Sequence, residues 1–133
     1  MKTFDVQSVG IDRPFEDVFG FIADPANLPK WTHAFKSADA TSAELVTPNG
    51  AVPIKLETST HGAIGTIDWL MTFPDGSVGA AYSRVTPDGA GRSIYSFVLM
   101  APPVPLEALE GALSAQMDIL ARELTGLKAL LEA

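Results

Sequence analysis

Cysteine is absent from the sequence of 133 residues, which excludes disulfides, thiolate metal sites and a cysteine nucleophile. Histidine is almost as scarce, since it occurs only as His33 and His61. A zinc site needs three or four ligands, commonly with a closely spaced pair. The two histidines lie far apart in the sequence, and adding Asp68 or Glu57 does not give that pattern. We therefore expect no metal site and no cofactor.

Positive charge is also scarce, with nine Lys and Arg residues against sixteen Asp and Glu residues and a net charge of −7. An acidic surface repels phosphate backbones, so nucleic acid is not expected as a partner. No segment approaches the roughly 18 consecutive apolar residues that a membrane-spanning helix needs. The first residues also lack the apolar centre of a signal peptide. These absences predict a cytoplasmic protein with no membrane span.

Apolar residues are plentiful, at 47% of the chain against 19% charged residues. This composition suits a folded protein with a substantial core and is not typical of a disordered segment. The length fits one domain, which we expect to span residues 1–133.

Two short helices are expected near the start of the chain. Pro14 suits a first helical turn, and apolar residues then recur at spacings typical of one helix face. These residues are Phe15, Val18, Phe19 and Ile22. In the following stretch, ADPANLPKW at 23–31, Asp24 is expected to cap a second helix and Pro29 to end it after about one turn. Trp31 follows directly after this break in the helical pattern.

Antiparallel strands are expected through most of the remaining chain, because alternating segments are joined by short turns rich in Gly, Pro and Asp. The turn signals lie at 48–50, 61–62, 74–76 and 87–91. The expected strands are 2–11, 35–47, 52–60, 63–73, 77–86 and 92–101. The segment 35–47 is expected to form either two short strands or one bent strand, with a break near 39–42.

The longest helical pattern occupies residues 105–131, after a proline-rich stop at 101–105. Its leucines recur at alternating spacings of three and four residues, interrupted at Gln116. They are Leu106, Leu109, Leu113, Leu120, Leu124, Leu127 and Leu131. At about 1.5 Å per residue this helix is about 40 Å long, so it must lie across the full width of the sheet. The element order predicts an α+β fold with helices on one side of a curved sheet.

The opening of the chain resembles that of the helix-grip superfamily, also called SRPBCC, START or Bet v 1-like. The stretches IDRPFEDVF at 11–19 and ADPANLPKW at 23–31 are similar to the pattern I-x-x-P-x-x-x-V-(F/W)…D-P-x-x-L-P-x-W of its polyketide cyclase/dehydrase and lipid-transport members. The resemblance implies a curved seven-stranded antiparallel sheet that wraps around a long C-terminal helix, with two short helices after the first strand. It also implies an apolar cavity between sheet and helix. The superfamily has no universal catalytic motif, so the resemblance assigns no catalytic residue.

The residues themselves suggest which side chains line such a cavity. In the segment 63–73 the bulkier, wholly apolar face is expected to point inward, and methionine side chains adapt readily to varied neighbours. Small residues at 111–115 would leave volume unfilled opposite the sheet. The expected cavity wall consists of Trp31, Trp69, Met71, Tyr82, Tyr95, Leu113, Gln116 and Met117. A plain hydrophobic core remains the alternative for each of these residues.

Three functions are consistent with this sequence. The first is binding of a small hydrophobic ligand, such as a lipid, polyketide or aromatic molecule, in the cavity. The second is a cyclase or dehydratase, for which Asp68, Tyr82, Arg84 and Tyr95 are the available polar groups. Asp68 alternates with the expected inner face and should therefore point outward. The third is an interaction protein whose apolar groove receives a partner or a second copy, giving a homodimer.

Overall fold

A seven-stranded antiparallel sheet makes up most of the protein in the computed structural model, which describes residues 2–47, 50–101 and 106–133. The elements in chain order are β1 (Phe4–Ile11), α1 (Phe15–Ala23), α2 (Leu28–Trp31), β2 (Phe35–Ala38), β3 (Ser42–Thr47), β4 (Gly50–His61), β5 (Thr66–Thr72), β6 (Val78–Pro87), β7 (Ser93–Met100) and α3 (Leu106–Glu132). One turn of 3₁₀ helix, Pro25–Asn27, precedes α2. Residues 48–49 of one expected turn and 102–105 of the proline-rich stop lie outside the described residues.

The strand order across the sheet is β1-β7-β6-β5-β4-β3-β2. From β2 to β7 each strand pairs with the next one in the chain, as expected for a series of hairpins. The first strand instead pairs with the last, so that Phe4 lies opposite Met100 and Ile11 lies opposite Ser93. The long helix α3 packs on the inner face of this curled sheet and contacts β1. The α+β helix-grip fold predicted from the sequence is confirmed.

The break between the two N-terminal helices forms much as the sequence predicts. The Asp24 carboxylate accepts a hydrogen bond from the backbone N–H of Ala26 at 3.0 Å, which caps the 3₁₀ turn. The expected role of Pro29 is wrong, because Pro29 does not end the helical segment but lies in the first turn of α2. A proline is tolerated there because the N–H of that position has no helical partner. The segment therefore continues to Trp31.

Two strand boundaries depend on local backbone geometry. The Asp39 carboxylate accepts hydrogen bonds from the N–H groups of Thr41 and Ser42, both at 2.9 Å. This turn divides the segment 35–47 into two strands, β2 and β3. The strand expected to begin at 63 begins instead at Thr66, because the chain is still turning at Gly65, where φ is 79°.

The core lies between the inner face of the sheet and the C-terminal half of α3. Alternate residues of the central strands point into it, as do the last leucines of the helical stripe. The buried core residues from these elements include Leu56, Ile67, Trp69, Val85, Tyr95, Leu120, Leu124 and Leu127. The side chains of Leu106 and Leu109, expected in the same stripe, lie outside those that the structure describes.

Polar contacts fix α3 against the first strand and the loop that follows it. The Gln7 amide donates one hydrogen bond to the Asp5 carboxylate at 2.9 Å and one to the Met117 carbonyl at 3.0 Å. Near the end of α3 the Arg13 guanidinium donates to the Leu131 carbonyl at 2.8 Å. These bonds hold the helix at two points along its length.

Gly65 occupies the turn between β4 and β5 in a left-handed backbone conformation. A Cβ at this position would lie 2.1 Å from the carbonyl oxygen of Val85, and the N–H of Val85 donates a 2.8 Å hydrogen bond to the Gly65 carbonyl. We predict that Gly65→Ala lowers the free energy of unfolding by about 2–4 kcal/mol, because it adds overpacking to backbone strain. Urea denaturation measures this change.

Gly89 offers a matched control, since its φ is 76° and a Cβ there would meet no atom within 4 Å. Gly89→Ala should lower the free energy of unfolding by only about 1 kcal/mol. Equal losses in the two variants would contradict the role assigned to the close approach of Val85.

Candidate ligand-binding cavity

An open cavity of about 410 Å³ lies between the inner face of the sheet and α3. This volume falls within the range of small-molecule sites. The cavity is bounded by α2 and the residues after it, by the inner faces of β2, β3, β5, β6 and β7, and by the middle of α3. Its larger side chains include Trp31, Phe35, Trp69, Met71, Phe97 and Gln116. The wall is thus aromatic and aliphatic over most of its area.

Four of the residues expected from the sequence line this cavity: Trp31, Trp69, Met71 and Gln116. The two tryptophans are almost fully buried, with 7% and 4% of their surfaces exposed. The Trp69 ring stacks on that of Phe97, with centroids 6.2 Å apart. This pair forms an apolar surface on the sheet side of the cavity.

Tyr95 and Leu113 are buried but do not line the cavity. The Tyr95 ring meets Trp31 edge-on, with centroids 6.1 Å apart and planes at 85°. Burial raises the pKa of the Tyr95 hydroxyl, and this hydroxyl makes no hydrogen bond within the described residues. The nearby Ser83 hydroxyl donates instead to the Ile67 carbonyl at 2.6 Å. Tyr95 therefore supports the cavity wall from behind.

Tyr82 lies on the outer face of the sheet, with 45% of its surface exposed, contrary to the expectation that it lines the cavity. The inner face of β6 carries Gly79, Ala81 and Ser83, because Ala81 pairs with the inward-pointing Trp69. These small side chains leave the space that the cavity occupies. Met117 is half-buried outside the cavity lining, although its carbonyl accepts the hydrogen bond from Gln7.

Glu123 and His33 also line the cavity, and the sequence reasoning missed both. The half-buried Glu123 carboxylate, on α3, accepts a hydrogen bond from the backbone N–H of His33. Burial raises the pKa of this carboxyl, although the bond from His33 opposes the shift. The sequence does contain one indication that Glu123 lines the cavity. It follows Gln116 by seven residues and so lies on the same helix face.

Glu123 and His33 sit where the cavity meets the surface. Both also line a shallow outer depression of about 430 Å³, together with Lys30 and Arg122. Within the described part of the chain, Lys30 and Arg122 form no ion pair. This end of the cavity is therefore its polar entrance.

The polar groups considered for catalysis do not converge in the structure. Asp68 and Tyr82 pair across neighbouring strands on the outer face. Arg84 is exposed, and its guanidinium donates to the Ile64 carbonyl at 2.9 Å. Across the described ranges, no three His, Asp or Glu side chains lie together in a way that could hold a metal ion. Nor is any helix in those ranges both long and apolar enough to cross a bilayer.

A family model described as polyketide cyclase / dehydrase and lipid transport matches residues 5–132. The chain belongs to this family. The family match therefore extends well beyond the opening motif and covers nearly the whole sequence. Among curated proteins nothing matches this sequence.

Solved structures share the fold of this polyketide cyclase/dehydrase and lipid-transport family member. The XoxI protein from Bacillus cereus matches at 16% identity and a TM-score of 0.71, covering 98% of this chain and 96% of that chain. A START superfamily protein from Mycobacterium smegmatis matches at 12% identity and a TM-score of 0.70, covering 98% of each chain. The Zhui aromatase/cyclase from Streptomyces sp. R1128 matches at 10% identity and a TM-score of 0.66, covering 97% and 93%. At such identities the likeness concerns the fold alone.

The raised pKa of Glu123 makes the stability of the protein depend on pH. The folded state holds this proton more tightly than the unfolded chain, whose carboxyl titrates near its ordinary value of 4.5. Stability is therefore lost as pH rises from that value through the folded-state pKa. Glu123→Gln keeps an oxygen that accepts the His33 N–H and cannot ionise. We predict that it is more stable than the parent protein at neutral pH and that the difference shrinks in acid, as measured by urea denaturation.

Glu132, on the same helix, supplies a control of opposite sign. Hydrogen bonds from Lys128 and from the N–H of Asp12 lower the pKa of its carboxyl. The stability it contributes is present above its ordinary pKa and is lost as pH falls through the lowered one. Glu132→Gln should therefore be less stable than the parent at neutral pH. The same sign for Glu123→Gln would contradict the effect of burial assigned to Glu123.

Proposed function

We propose that this protein binds a small, largely apolar molecule in the cavity between the sheet and α3. The observation that carries this proposal is the cavity itself, which has a stacked Trp69–Phe97 surface on one side and a polar entrance at one end. Such a wall, mostly apolar with a few polar groups, is typical of small-molecule sites.

Apolar burial would supply most of the affinity for such a ligand. Each 100 Å² of apolar ligand surface removed from water contributes about 2.5 kcal/mol before the costs of association. The Met71 side chain, half-buried beside the cavity, can adapt to ligands of different outline because it has three rotatable bonds. The wall therefore suits an apolar ligand of moderate size better than a charged one.

Filling the cavity should weaken ligand binding. We predict that Met71→Trp lowers the affinity for the uncharged fluorescent probe N-phenyl-naphthylamine at least about tenfold, which corresponds to ~1.4 kcal/mol. Fluorescence titration measures the affinity, and Ala81→Leu provides a second, smaller obstruction on the neighbouring strand.

Leu70→Trp is the matched control, since Leu70 precedes Met71 on β5 and lies exposed on the outer face. It should leave probe affinity unchanged. Mass spectrometry of solvent extracts from the purified protein provides an independent test by identifying any molecule that copurifies. Failure of the probe to bind, with no copurified molecule, would reject the binding function.

A second function, dehydration of a bound β-hydroxy ketone, is favoured by the position of Glu123. Its half-buried carboxyl lies beside His33 in the cavity wall, and a raised pKa suits proton transfer nearer neutral pH. In this reaction the Glu123 carboxylate removes a proton from the carbon next to the ketone. The carboxylic acid so formed then protonates the departing hydroxyl group, which leaves as water while the carbon–carbon double bond forms.

This second function has a direct test. Incubation with an aromatic β-hydroxy ketone, followed by mass spectrometry, should detect loss of water with the parent protein. Glu123→Gln should abolish the product, whereas Asp68→Asn, on the outer face, should retain it. Equal product from parent, Glu123→Gln and a reaction without protein would exclude this chemistry at Glu123.

Pairing of two copies and a cytoplasmic location remain predictions from the sequence. Sedimentation velocity across a range of protein concentrations tests the first, and cell fractionation tests the second.

A further inference from the structure

Two polar side chains interrupt the apolar wall that α3 contributes to the cavity. They are Gln116 and Glu123. Seven residues separate them, which is close to two helical turns, so both lie on one face of α3 and about 10 Å apart along the helix axis. Ile119 and Leu120 line the cavity between them. Along this helix the wall is therefore polar, then apolar, then polar again.

Both side chains retain hydrogen-bonding capacity that the protein does not use. The half-buried Gln116 amide makes no hydrogen bond to any described residue. In Glu123, Oε2 accepts the bond from the His33 N–H, while Oε1 has no partner in the described part of the chain. Leaving such groups unpaired when an apolar ligand displaces their water is unfavourable. A ligand that satisfies them avoids this loss.

The opposite side of the cavity is mostly apolar, although the buried indole N–H of Trp69 also has no hydrogen-bond partner among the described residues. This side consists of the stacked Trp69 and Phe97 rings and the side chain of Met71. A ligand body between the two walls therefore meets mostly apolar surface along its middle. On α3, the side-chain groups of this cavity that accept a hydrogen bond from a ligand hydroxyl lie at its ends, at Gln116 and Glu123.

The geometry points to a ligand with a rigid apolar body that carries a hydroxyl group at each end, one bonded to Gln116 and the other to Glu123. This assignment rests on the proposed binding function and specifies its ligand class. The Glu123 carboxylate accepts hydrogen bonds, so a hydroxyl donor suits that end better than a ligand carboxylate, which would be repelled. The Gln116 amide both donates and accepts, so it pairs with a hydroxyl in either direction.

A series of three probes with one shared body tests the inference. Biphenyl carries no hydroxyl, para-hydroxybiphenyl carries one, and para,para′-dihydroxybiphenyl carries one at each end. Their affinities are measured by displacement of N-phenyl-naphthylamine. Each hydroxyl should improve affinity about fivefold, the net effect of one hydrogen bond in place of an unpaired group.

Variants assign each hydroxyl to its partner. Gln116→Leu and Glu123→Leu should each remove the gain from one hydroxyl, and the double variant should remove both. Asp118→Leu, at an exposed position of α3 between them, should retain the full gain. The readout is the ratio of diol affinity to biphenyl affinity within each variant, so general changes in the cavity cancel.

The outcomes separate the inference from the function on which it rests. If biphenyl and its diol bind the parent protein equally well, the two-ended ligand is wrong, while apolar binding stands. If the ratio is unchanged in Gln116→Leu and Glu123→Leu, the two side chains are merely solvated and the inference is also wrong. If neither the biphenyls nor N-phenyl-naphthylamine binds, the proposed function itself fails.

Discussion

The contact between the C-terminal half of α3 and the inner face of the sheet is the constraint on which the rest of the structure depends. Leu120, Leu124 and Leu127 are buried there, and the Arg13 guanidinium holds the helix end through the Leu131 carbonyl. Because α3 is one continuous helix about 40 Å long, fixing this half also constrains the direction of the other half. The sheet curls around the helix but does not follow it closely along its whole length. The cavity occupies the space that remains beside residues 116–123.

The cavity persists because the strands that face it supply too little side-chain volume to close it. On β6 the inner positions are Gly79 and Ala81, opposite the large Trp69 and Met71 of β5. A void in a protein interior forfeits dispersion contacts, so a fold that keeps one is less stable than a filled core would be. A ligand with matching apolar surface restores those contacts. Ligand binding and the stability of the protein are therefore expected to increase together.

The sequence predicted the architecture well because strong local signals agreed with one another. The turn residues, the leucine spacing and the capped break at Asp24 all pointed to the same element order. The inner face of β5 was also predictable, since one of its faces is wholly apolar. The face of β6 was not, because bulky residues usually point inward, whereas here the cavity takes the small ones and Tyr82 points out. Glu123 was missed for a related reason, since charged helix residues near a leucine stripe are normally solvated.

Glu123 connects the stability of the protein to the chemistry of its cavity. Burial of an ionisable carboxyl opposes folding when the group is charged, and the N–H of His33 offsets this effect only in part, since the pKa remains raised. A leucine or glutamine at this position would avoid the penalty, so nothing about packing requires a carboxyl there.

The Glu123 carboxyl lies at the cavity entrance, two helical turns from the unpaired Gln116. A carboxyl at this place is explained if a bound molecule donates a hydrogen bond to it. A donor from the ligand would stabilise the ionised form and lower the pKa toward its ordinary range. Binding of a hydroxyl-bearing ligand should therefore release a proton from Glu123 at intermediate pH, whereas binding of a purely apolar one should favour proton uptake.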